Sequence, residues 1–375
     1  MSQADGTASP YDGLDPRAYW RLGVAEAGVY PPPDLYRPKF PLTRDLAIMT
    51  AGSCFAQHVG AALRKSNYNV IDEEPAPNGV PVEIARSFGY GMYSARYGNI
   101  YTTRQLRQLV LEAQGAFVPA DAIWEKGDSF FDALRPGVEP EGLPSRELVA
   151  EARSYHLRAV ARAMARTDVL VFTLGLTEAW EHVDSGTVYP TAPGTIAGKM
   201  SDAYRFVNFR HAEIRADFEA VRASFRALNP GVRFLLTVSP VPLTATASGD
   251  HVMAATVYSK SVLRAVAGEL REDYDDVDYF PSYEIVTAPI SAGRMYEKNF
   301  RSVRSDAVAK VMSVFLSATA APAAPGPKSK SEVAMFRARR RAKRLAQANA
   351  QPTQAATPAD DIICEEQLLD AFARP

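Results

Sequence analysis

Short apolar runs alternate along this chain with helical patterns, and this alternation restricts the fold more than any other feature. Residues 168–176 (DVLVFTLGL) form a continuous apolar run, and residues 45–50, 232–238 and 277–280 have the same character. A run that is apolar on both faces is typical of a strand buried between two helical layers of a parallel sheet. We therefore expect these four runs to be central strands.

The segment 211–228 shows the helical pattern that lies between such strands. Its apolar residues are spaced by four, three, four and three positions, and they are Ile214, Phe218, Val221, Phe225 and Leu228. This spacing gives one stripe of an α-helix, which Asn229-Pro230 ends. Strands alternating with such helices predict an α/β fold, namely a three-layer, doubly wound and mostly parallel sheet of the flavodoxin type. In these sheets the functional groups gather beyond the carboxyl ends of the strands.

The first part of the chain differs in composition from the α/β region. Residues 1–44 are rich in Pro, Tyr and Asp, and consecutive prolines disfavour a helix there. We expect an extended N-terminal arm, packed on the core by Trp20, Tyr30 and Phe40. Residues 45–318 then form a single catalytic domain.

The last part, residues 319–375, begins with a low-complexity stretch that predicts a flexible linker. The basic segment 333–346 is in most proteins a solvated helix or tail, and the alternative is binding to an acidic protein, nucleic acid or anionic lipid. Residues 361–373 predict a short amphipathic helix that docks on this protein or on another one. Its apolar side would hold Ile363, Leu368, Leu369 and Phe372.

Composition indicates an ordinary globular protein. The 375 residues are 47% hydrophobic and 23% charged, and the formal net charge of -1 argues against nucleic-acid binding over the whole surface. Cys54 and Cys364 lie too far apart in sequence to indicate a disulfide framework or a cysteine zinc site. We find no metal-ligand cluster, Walker loop or dinucleotide fingerprint, so neither a cofactor nor a metal is expected.

Location is predicted from the absence of targeting signals in the sequence. The N-terminus lacks a basic segment followed by an apolar one, and no apolar run approaches the ~20 residues that span a bilayer. A cytoplasmic protein is the expectation, and its oligomeric state is left open.

The chemistry starts where the first predicted strand meets a helix. Gly52 permits a tight turn, and the following helix N-terminus places backbone N–H groups near the hydroxyl of Ser53. These are the requirements of a nucleophile whose attack creates an oxyanion. The alternative is that Ser53 only caps the helix. Cys54 is either a second candidate nucleophile or a small buried side chain.

The letters of residues 52–56 spell GSCFA, and the chain resembles the GSCFA family, a bacterial group similar to the SGNH-type (GDSL-like) hydrolases. Residues 174–180 (LGLTEAW), 239–243 (SPVPL) and 279–284 (YFPSYE) also look like that family. The resemblance covers residues 46–317, so the arm and the basic tail fall outside it.

The resemblance implies roles for single residues. The SGNH nucleophile follows the first strand, which corresponds to Ser53. The glycine of the second SGNH block, whose N–H helps to bind the oxyanion, corresponds to Gly89 or Gly91. Gly175 begins the third block.

The third block departs from the SGNH pattern. SGNH enzymes read Gly-x-Asn-Asp there, and this chain reads Gly-Leu-Thr-Glu over residues 175–178. Thr177 can donate one hydrogen bond to an oxyanion, whereas an ionised Glu178 only accepts.

The general base is the larger departure. The loop 296–306 lacks the Asp-x-x-His of SGNH enzymes, Ser302 stands about where that histidine is expected, and no histidine follows His251. His251 comes after the third predicted strand, at the edge of the sheet where a base could reach the nucleophile. His182 is its rival.

Three further residues complete the predicted site. Glu284 follows the last predicted strand and would orient the base, with Glu178 as the rival carboxylate. Arg301 could bind an anionic substrate, and Tyr283 could bind a sugar hydroxyl.

These observations predict a serine esterase or O-acyltransferase with Ser53 as nucleophile, His251 as base and Glu284 as its orienting group. By analogy with the SGNH group, the substrate would be an acyl ester, with a carbohydrate ester as the suggested class. The alternatives are a non-catalytic carbohydrate or nucleotide-sugar binding protein, and an adaptor that acts through its basic tail.

Overall fold

The computed structural model describes residues 9–32, 34–319 and 364–373 of the chain. Its strands are β1 (Ile48–Gly52), β2 (Ile123–Lys126), β3 (Ser129–Asp132), β4 (Val169–Leu174), β5 (Glu178–His182), β6 (Val188–Tyr189), β7 (Tyr204–Asn208), β8 (Arg233–Val238) and β9 (Val277–Tyr279). Its α-helices are α1 (Phe55–Lys65), α2 (Val82–Ser87), α3 (Thr103–Ala113), α4 (Arg146–Arg166), α5 (His211–Leu228), α6 (Val252–Asp273), α7 (Ser282–Thr287) and α8 (Ser305–Thr319). Short 3₁₀ turns cover Pro16–Ala18, Pro289–Ser291 and Glu365–Phe372, and a π-helical turn covers Arg21–Ala25.

The four predicted central strands form one parallel sheet in the order β1-β4-β8-β9. Ile48 pairs with Val169, and Phe234 pairs with Val277. All residues of β1, β4 and β9 are buried, as a sheet covered on both faces requires. Because the strands are parallel, their carboxyl ends meet at one edge of the sheet.

Helices cover both faces of this sheet, which confirms the predicted three-layer α/β fold. Met49 and Ala51 of β1 pack into a core with α3, α4, α5 and α6. Ile48, whose side chain points to the opposite face, packs into a second core with α1, α7 and α8. The stripe expected on α5 lies in the first core except for Leu228, which is exposed.

The N-terminal arm packs on the second core through one expected residue, Tyr30, and through two residues that were not expected. Tyr36 and Leu42 are buried there, and the hydroxyl of Tyr36 donates to Asp278 Oδ2 at 2.8 Å. Tyr30 is partly buried against the same core. Trp20, which we expected to be an anchor, is 66% exposed, because the π-helical turn that follows it contains no buried residue.

Two smaller sheets were not expected from the sequence. Strands β2 and β3 form an antiparallel hairpin, and β6, β5 and β7 form an antiparallel sheet in that order. Strand β5 starts only four residues after β4 ends, so residues 178–182 are a strand where the sequence suggested a loop. These strands are short and partly polar, and therefore give a weak pattern.

The C-terminal segment Cys364–Ala373 lies against the α/β core, but of the predicted apolar side only Leu369 is partly buried among the described residues. Leu368 is 48% exposed and Phe372 is 62% exposed, whereas Cys364 and Glu365 are buried. The expected stripe fails because residues 365–372 form a 3₁₀ helix, whose three-residue turn does not maintain the α-helical spacing. The linker, the basic segment 333–346 and Ile363 lie outside the described residues.

No helix in the described ranges has the length and apolar character needed to cross a bilayer. No group of three or more His, Cys, Asp and Glu residues in these ranges is arranged to hold a metal ion.

Candidate active site

Ser53 lies between β1 and α1, at the carboxyl edge of the central sheet. The preceding Gly52 has φ +136°, and a Cβ added to it would lie 2.5 Å from the backbone oxygen of Thr173. Any other residue at position 52 would clash with β4, so the sharp turn that presents Ser53 depends on glycine.

The Ser53 hydroxyl does not cap the helix. Residue 54 takes the N-cap position of α1 without a side-chain hydrogen bond. Ser53 is 3% exposed, and its Oγ has no hydrogen-bond partner among the described residues. Five threonine hydroxyls of the described residues are also buried without a partner, so it is the position of Ser53 beyond the end of a central strand that makes its hydroxyl a candidate functional group.

A small pocket surrounds this hydroxyl, and we call it the serine pocket. Its lining includes Cys54, Tyr101, Gly175, Leu243, Lys260 and Glu366. The predicted Gly175 packs closely on the serine, because a Cβ added to it would lie 3.0 Å from Ser53 Cβ and 2.9 Å from Tyr101 O. The structure therefore brings Ser53 and Gly175 together.

The predicted oxyanion donors are engaged elsewhere. The N–H of Ser53 donates to Thr173 O at 3.1 Å, and that of Gly175 donates to Tyr101 O at 3.1 Å. The Thr177 hydroxyl donates to Asn208 Oδ1 at 2.6 Å. These groups complete the sheet edge and the β4–β5 connection instead of facing a ligand.

A different N–H is free to serve as oxyanion donor. The N–H of Cys54 has no acceptor among the described residues, and it stands at the positive end of the α1 dipole. The residue after the nucleophile supplies such a donor in the strand–turn–helix sites of α/β-hydrolases.

Gly89 and Gly91 lie outside the serine pocket. The N–H of Gly89 donates to Arg86 O at 2.9 Å, and a Cβ there would meet Val138. Both glycines have positive φ, at +77° and +66°, so they serve the turn after α2.

The predicted base and its orienting carboxylate are not brought together. His251 is exposed at the N-cap of α6, where its Nδ1 accepts a hydrogen bond from Met253 N at 3.1 Å. The Glu284 carboxylate instead accepts hydrogen bonds from Arg264 Nε and from the Tyr279 hydroxyl. The contacts of the described residues therefore contain no Ser53–His251–Glu284 triad.

The rival candidates also take other places. His182 Nε2 lies 3.7 Å from Asp121, outside the serine pocket. Glu178 lines a groove that adjoins this pocket, accepts from the Thr246 hydroxyl at 2.8 Å, and has its pKa raised by burial. Tyr283 is half-buried against the first core, and burial raises the pKa of its hydroxyl.

Lys260 is a functional candidate that the sequence reasoning missed. It is 2% exposed in α6, lines the serine pocket and donates from Nζ to the backbone oxygen of Gly175. Burial lowers the pKa of its ammonium group to about 8, so about a tenth of the amine is neutral at pH 7, far more than for an exposed lysine. One signal was present in the sequence, since Lys260 precedes the buried Leu263 and Ala267 by three and seven residues, on the apolar stripe of its helix.

Arg301 lies in the loop that corresponds to the one where SGNH enzymes carry a histidine. Its Nη2 lies 3.1 Å from Oε2 of Glu366 in the C-terminal segment, and both side chains are 13% exposed. Burial raises the pKa of Glu366, and the charges of Arg301 and Lys260 oppose that shift. Two cations and one carboxylate therefore lie close to Ser53.

The adjoining groove is largely apolar and aromatic, and we call it the aromatic groove. Its cavity volume is about 190 Å³, and it shares Leu176, Leu243 and Glu366 with the serine pocket. Trp180 and Phe206 also line it. A ligand that reaches Ser53 can therefore extend its bulk along aromatic rings.

The fold and the site define a three-layer α/β protein with an unpaired serine at the carboxyl edge of its parallel sheet. The chain belongs to the GSCFA family, whose sequence model matches residues 47–315. No curated protein matches the chain.

One solved structure, provisionally named a platelet activating factor from Streptococcus pneumonia, is similar to 46% of this chain at 15% identity and a TM-score of 0.24. The match spans 64% of that structure's own chain. A similarity of this size does not bear on activity.

Proposed function

We propose that the protein is a serine acyl-ester hydrolase or O-acyltransferase in which Ser53 is the nucleophile and Lys260 is its general base. One observation carries this proposal: a buried serine hydroxyl without a partner and a buried lysine with a lowered pKa line the same pocket at the sheet edge. Pairs of serine and lysine replace Ser–His in several acyl-transfer enzymes. Lys260 takes the role for which the sequence suggested His251.

The reaction needs Lys260 in its neutral form. Its amine accepts the proton of Ser53 Oγ while that oxygen attacks the ester carbonyl carbon, and the carbonyl π electrons move onto oxygen. The N–H of Cys54 donates to this oxyanion. As the intermediate collapses, the ester C–O bond breaks and the leaving oxygen takes the proton from the Lys260 ammonium. Water, or a second hydroxyl substrate, then attacks acyl-Ser53 by the reverse proton transfers.

The aromatic groove supports a substrate with a flat or apolar body. The rings of Trp180 and Phe206 can cover apolar surface of a ligand with little loss of side-chain entropy, and they suit either a sugar ring or an acyl chain. A carbohydrate ester remains the substrate class that we favour. Transfer in place of hydrolysis would require that the acceptor alcohol fill this groove and exclude water.

A non-catalytic carbohydrate-binding protein is the second candidate. Three of the predicted oxyanion donors, at Ser53, Gly175 and Thr177, are engaged within the fold. Removing the Ser53 hydroxyl would leave ligand binding intact in such a protein, whereas it would abolish turnover in an esterase.

Labelling with a fluorescent fluorophosphonate tests the proposal. We expect the wild type to label and Ser53→Ala not to label. Lys260→Met should label at least 10²-fold more slowly, since general-base assistance is worth about 10²–10⁴. His251→Ala is the control and should label like the wild type. A folded wild-type protein that stays unlabelled would favour the binding function.

A further inference from the structure

The C-terminal segment is held in the site by its acidic residues. Glu365 is 6% exposed, and its Oε2 accepts hydrogen bonds from the Tyr101 hydroxyl at 2.8 Å and from Asn99 Nδ2. A Cβ added to Gly137 would lie 2.8 Å from Glu365 Oε1, so there is room for this carboxylate only because residue 137 has no side chain. The fold thus provides a fitted recess for an acidic group.

Glu366, the next residue, is the one that reaches the chemistry. It lines both the serine pocket and the aromatic groove, and Leu369 from the same segment lines the groove. Its carboxylate pairs with Arg301 at 3.1 Å in a nearly buried contact. Buried charge without a partner is strongly unfavourable, so Arg301 requires an anion at this position.

Arg301 has more donor capacity than Glu366 uses. Its Nε is buried and has no acceptor among the described residues. A guanidinium group binds a carboxylate best through two parallel N–H donors, and Glu366 is engaged by Nη2. A substrate carboxylate is not attached to the 3₁₀ backbone, so it could accept hydrogen bonds from both Nε and Nη2 of Arg301.

The apolar residues of the segment explain its position only in part. Leu369 lines the aromatic groove, but Leu368 and Phe372 face solvent, while Glu365 and Glu366 face the site. Recognition of the two carboxylates by the site therefore contributes to the position of the segment.

We propose that residues 364–373 are an internal ligand of the active site, and that Glu366 occupies at Arg301 the subsite for a carboxylate group of the substrate. The substrate is then an ester that also carries a carboxylate, and it must displace the segment to reach Ser53. The turnover part of this inference rests on the proposed function, whereas the carboxylate subsite does not.

The segment also restrains the proposed base. The negative charge of Glu366 raises the pKa of Lys260 against the effect of burial, and so favours the protonated amine. When the segment leaves, that contribution is lost until a substrate carboxylate replaces it. Because a substrate carboxylate restores that charge, blocked entry is what makes the covered form inactive.

Alkylation of Cys364 by N-ethylmaleimide, resolved by mass spectrometry, reports displacement without any need for catalysis. Cys364 is buried in the segment, so its rate measures how often the segment leaves. We expect Glu366→Gln to raise that rate about tenfold, and Asp370→Asn, an exposed acid on the same segment, to leave it unchanged. Succinate should accelerate alkylation of the full-length wild type, and succinamide should not. Thermal melting curves would identify any variant that fails to fold.

Hydrolysis of two model esters tests the substrate class. We expect the wild type to prefer mono-4-nitrophenyl succinate over 4-nitrophenyl butyrate at least tenfold in kcat/KM, and Arg301→Gln to lose this preference. If neither Glu366→Gln nor succinate changes the rate of Cys364 alkylation, the segment is not an internal ligand of the site. Succinate-dependent alkylation without hydrolysis of either ester would support the carboxylate subsite and overturn the proposed catalytic function.

Discussion

Lys260 donates a hydrogen bond from Nζ to the backbone oxygen of Gly175, the glycine that packs against Ser53. The proposed base and nucleophile are thereby tied to the same residue at the end of β4. This arrangement holds the lysine at the carboxyl edge of the sheet.

Replacement of Gly175 by alanine should disturb the serine directly. The added Cβ would lie 3.0 Å from Ser53 Cβ and 2.9 Å from Tyr101 O, so Ser53 must shift by a few tenths of an ångström or more. We expect esterase activity to fall by about 10²-fold, because a small displacement of a nucleophile slows its attack by that order. Gly231→Ala, whose Cβ would meet only Asn229 Oδ1 at 3.4 Å, is the control and should retain activity.

The pH profile should identify the base. Lys260 accepts a proton only when neutral, and burial lowers its pKa to about 8, so kcat/KM for a neutral ester should rise with pH through a limb near 8. Steady-state rates with 4-nitrophenyl butyrate between pH 5 and pH 10 would measure this limb. A limb near the ordinary histidine value of ~6.5 would instead indicate an imidazole base.

His251 should matter for stability and not for turnover. Its Nδ1 caps α6 by accepting from Met253 N at 3.1 Å, and the loss of an N-cap costs about 1 kcal/mol of unfolding free energy. His251→Ala should therefore lower stability by that amount in urea unfolding, with kcat unchanged. His251→Asn preserves a cap and should restore the stability. If both variants fold but lose activity, His251 takes part in catalysis.

His156 should make the protein sensitive to mild acid. Its Nδ1 lies 2.7 Å from Glu74 Oε2, and burial, followed by the charge of Arg135, lowers the pKa of His156 to about 4. The unfolded chain, with an ordinary histidine pKa of ~6.5, then binds more protons between about pH 4 and 6.5. Stability that is present above pH 6.5 is therefore lost as the pH falls toward 4, by an amount on the order of 3 kcal/mol.

Urea unfolding of the wild type and His156→Gln at several pH values would check this. The glutamine can still donate to Glu74 but does not titrate, so the slope of stability against pH should flatten between pH 6.5 and 4. An unchanged slope in the variant would mean that other groups cause the acid sensitivity.

The central fold could be predicted because its signals are local and strong. Four apolar runs gave the four parallel strands, and Gly52-Ser53 marked the strand-to-helix turn. The small antiparallel sheets were missed because β5, β6 and β7 are short and partly polar. The anchors of the arm were misjudged at Trp20, because local composition does not show which aromatic residue finds a core.

The site was harder to predict because its partners come from distant parts of the chain. Ser53, Gly175 and Arg301 could be found through the order of family motifs. Lys260 and Glu366 belong to no such motif, and their roles depend on burial and on contacts that only the folded chain reveals. The pKa of Lys260 is lowered chiefly by burial, which the sequence alone does not show.

Mass spectrometry of an acid-quenched reaction with a 4-nitrophenyl ester would test the central claim most directly. We predict an acyl adduct on Ser53. Fragmentation of the peptide that contains both Ser53 and Cys54 would show which of the two residues carries it. Ser53→Ala should lack the adduct, and Lys260→Met should form it at least 10²-fold more slowly. An adduct on Cys54, or release of nitrophenol that Ser53→Ala does not affect, would contradict a serine nucleophile at this site.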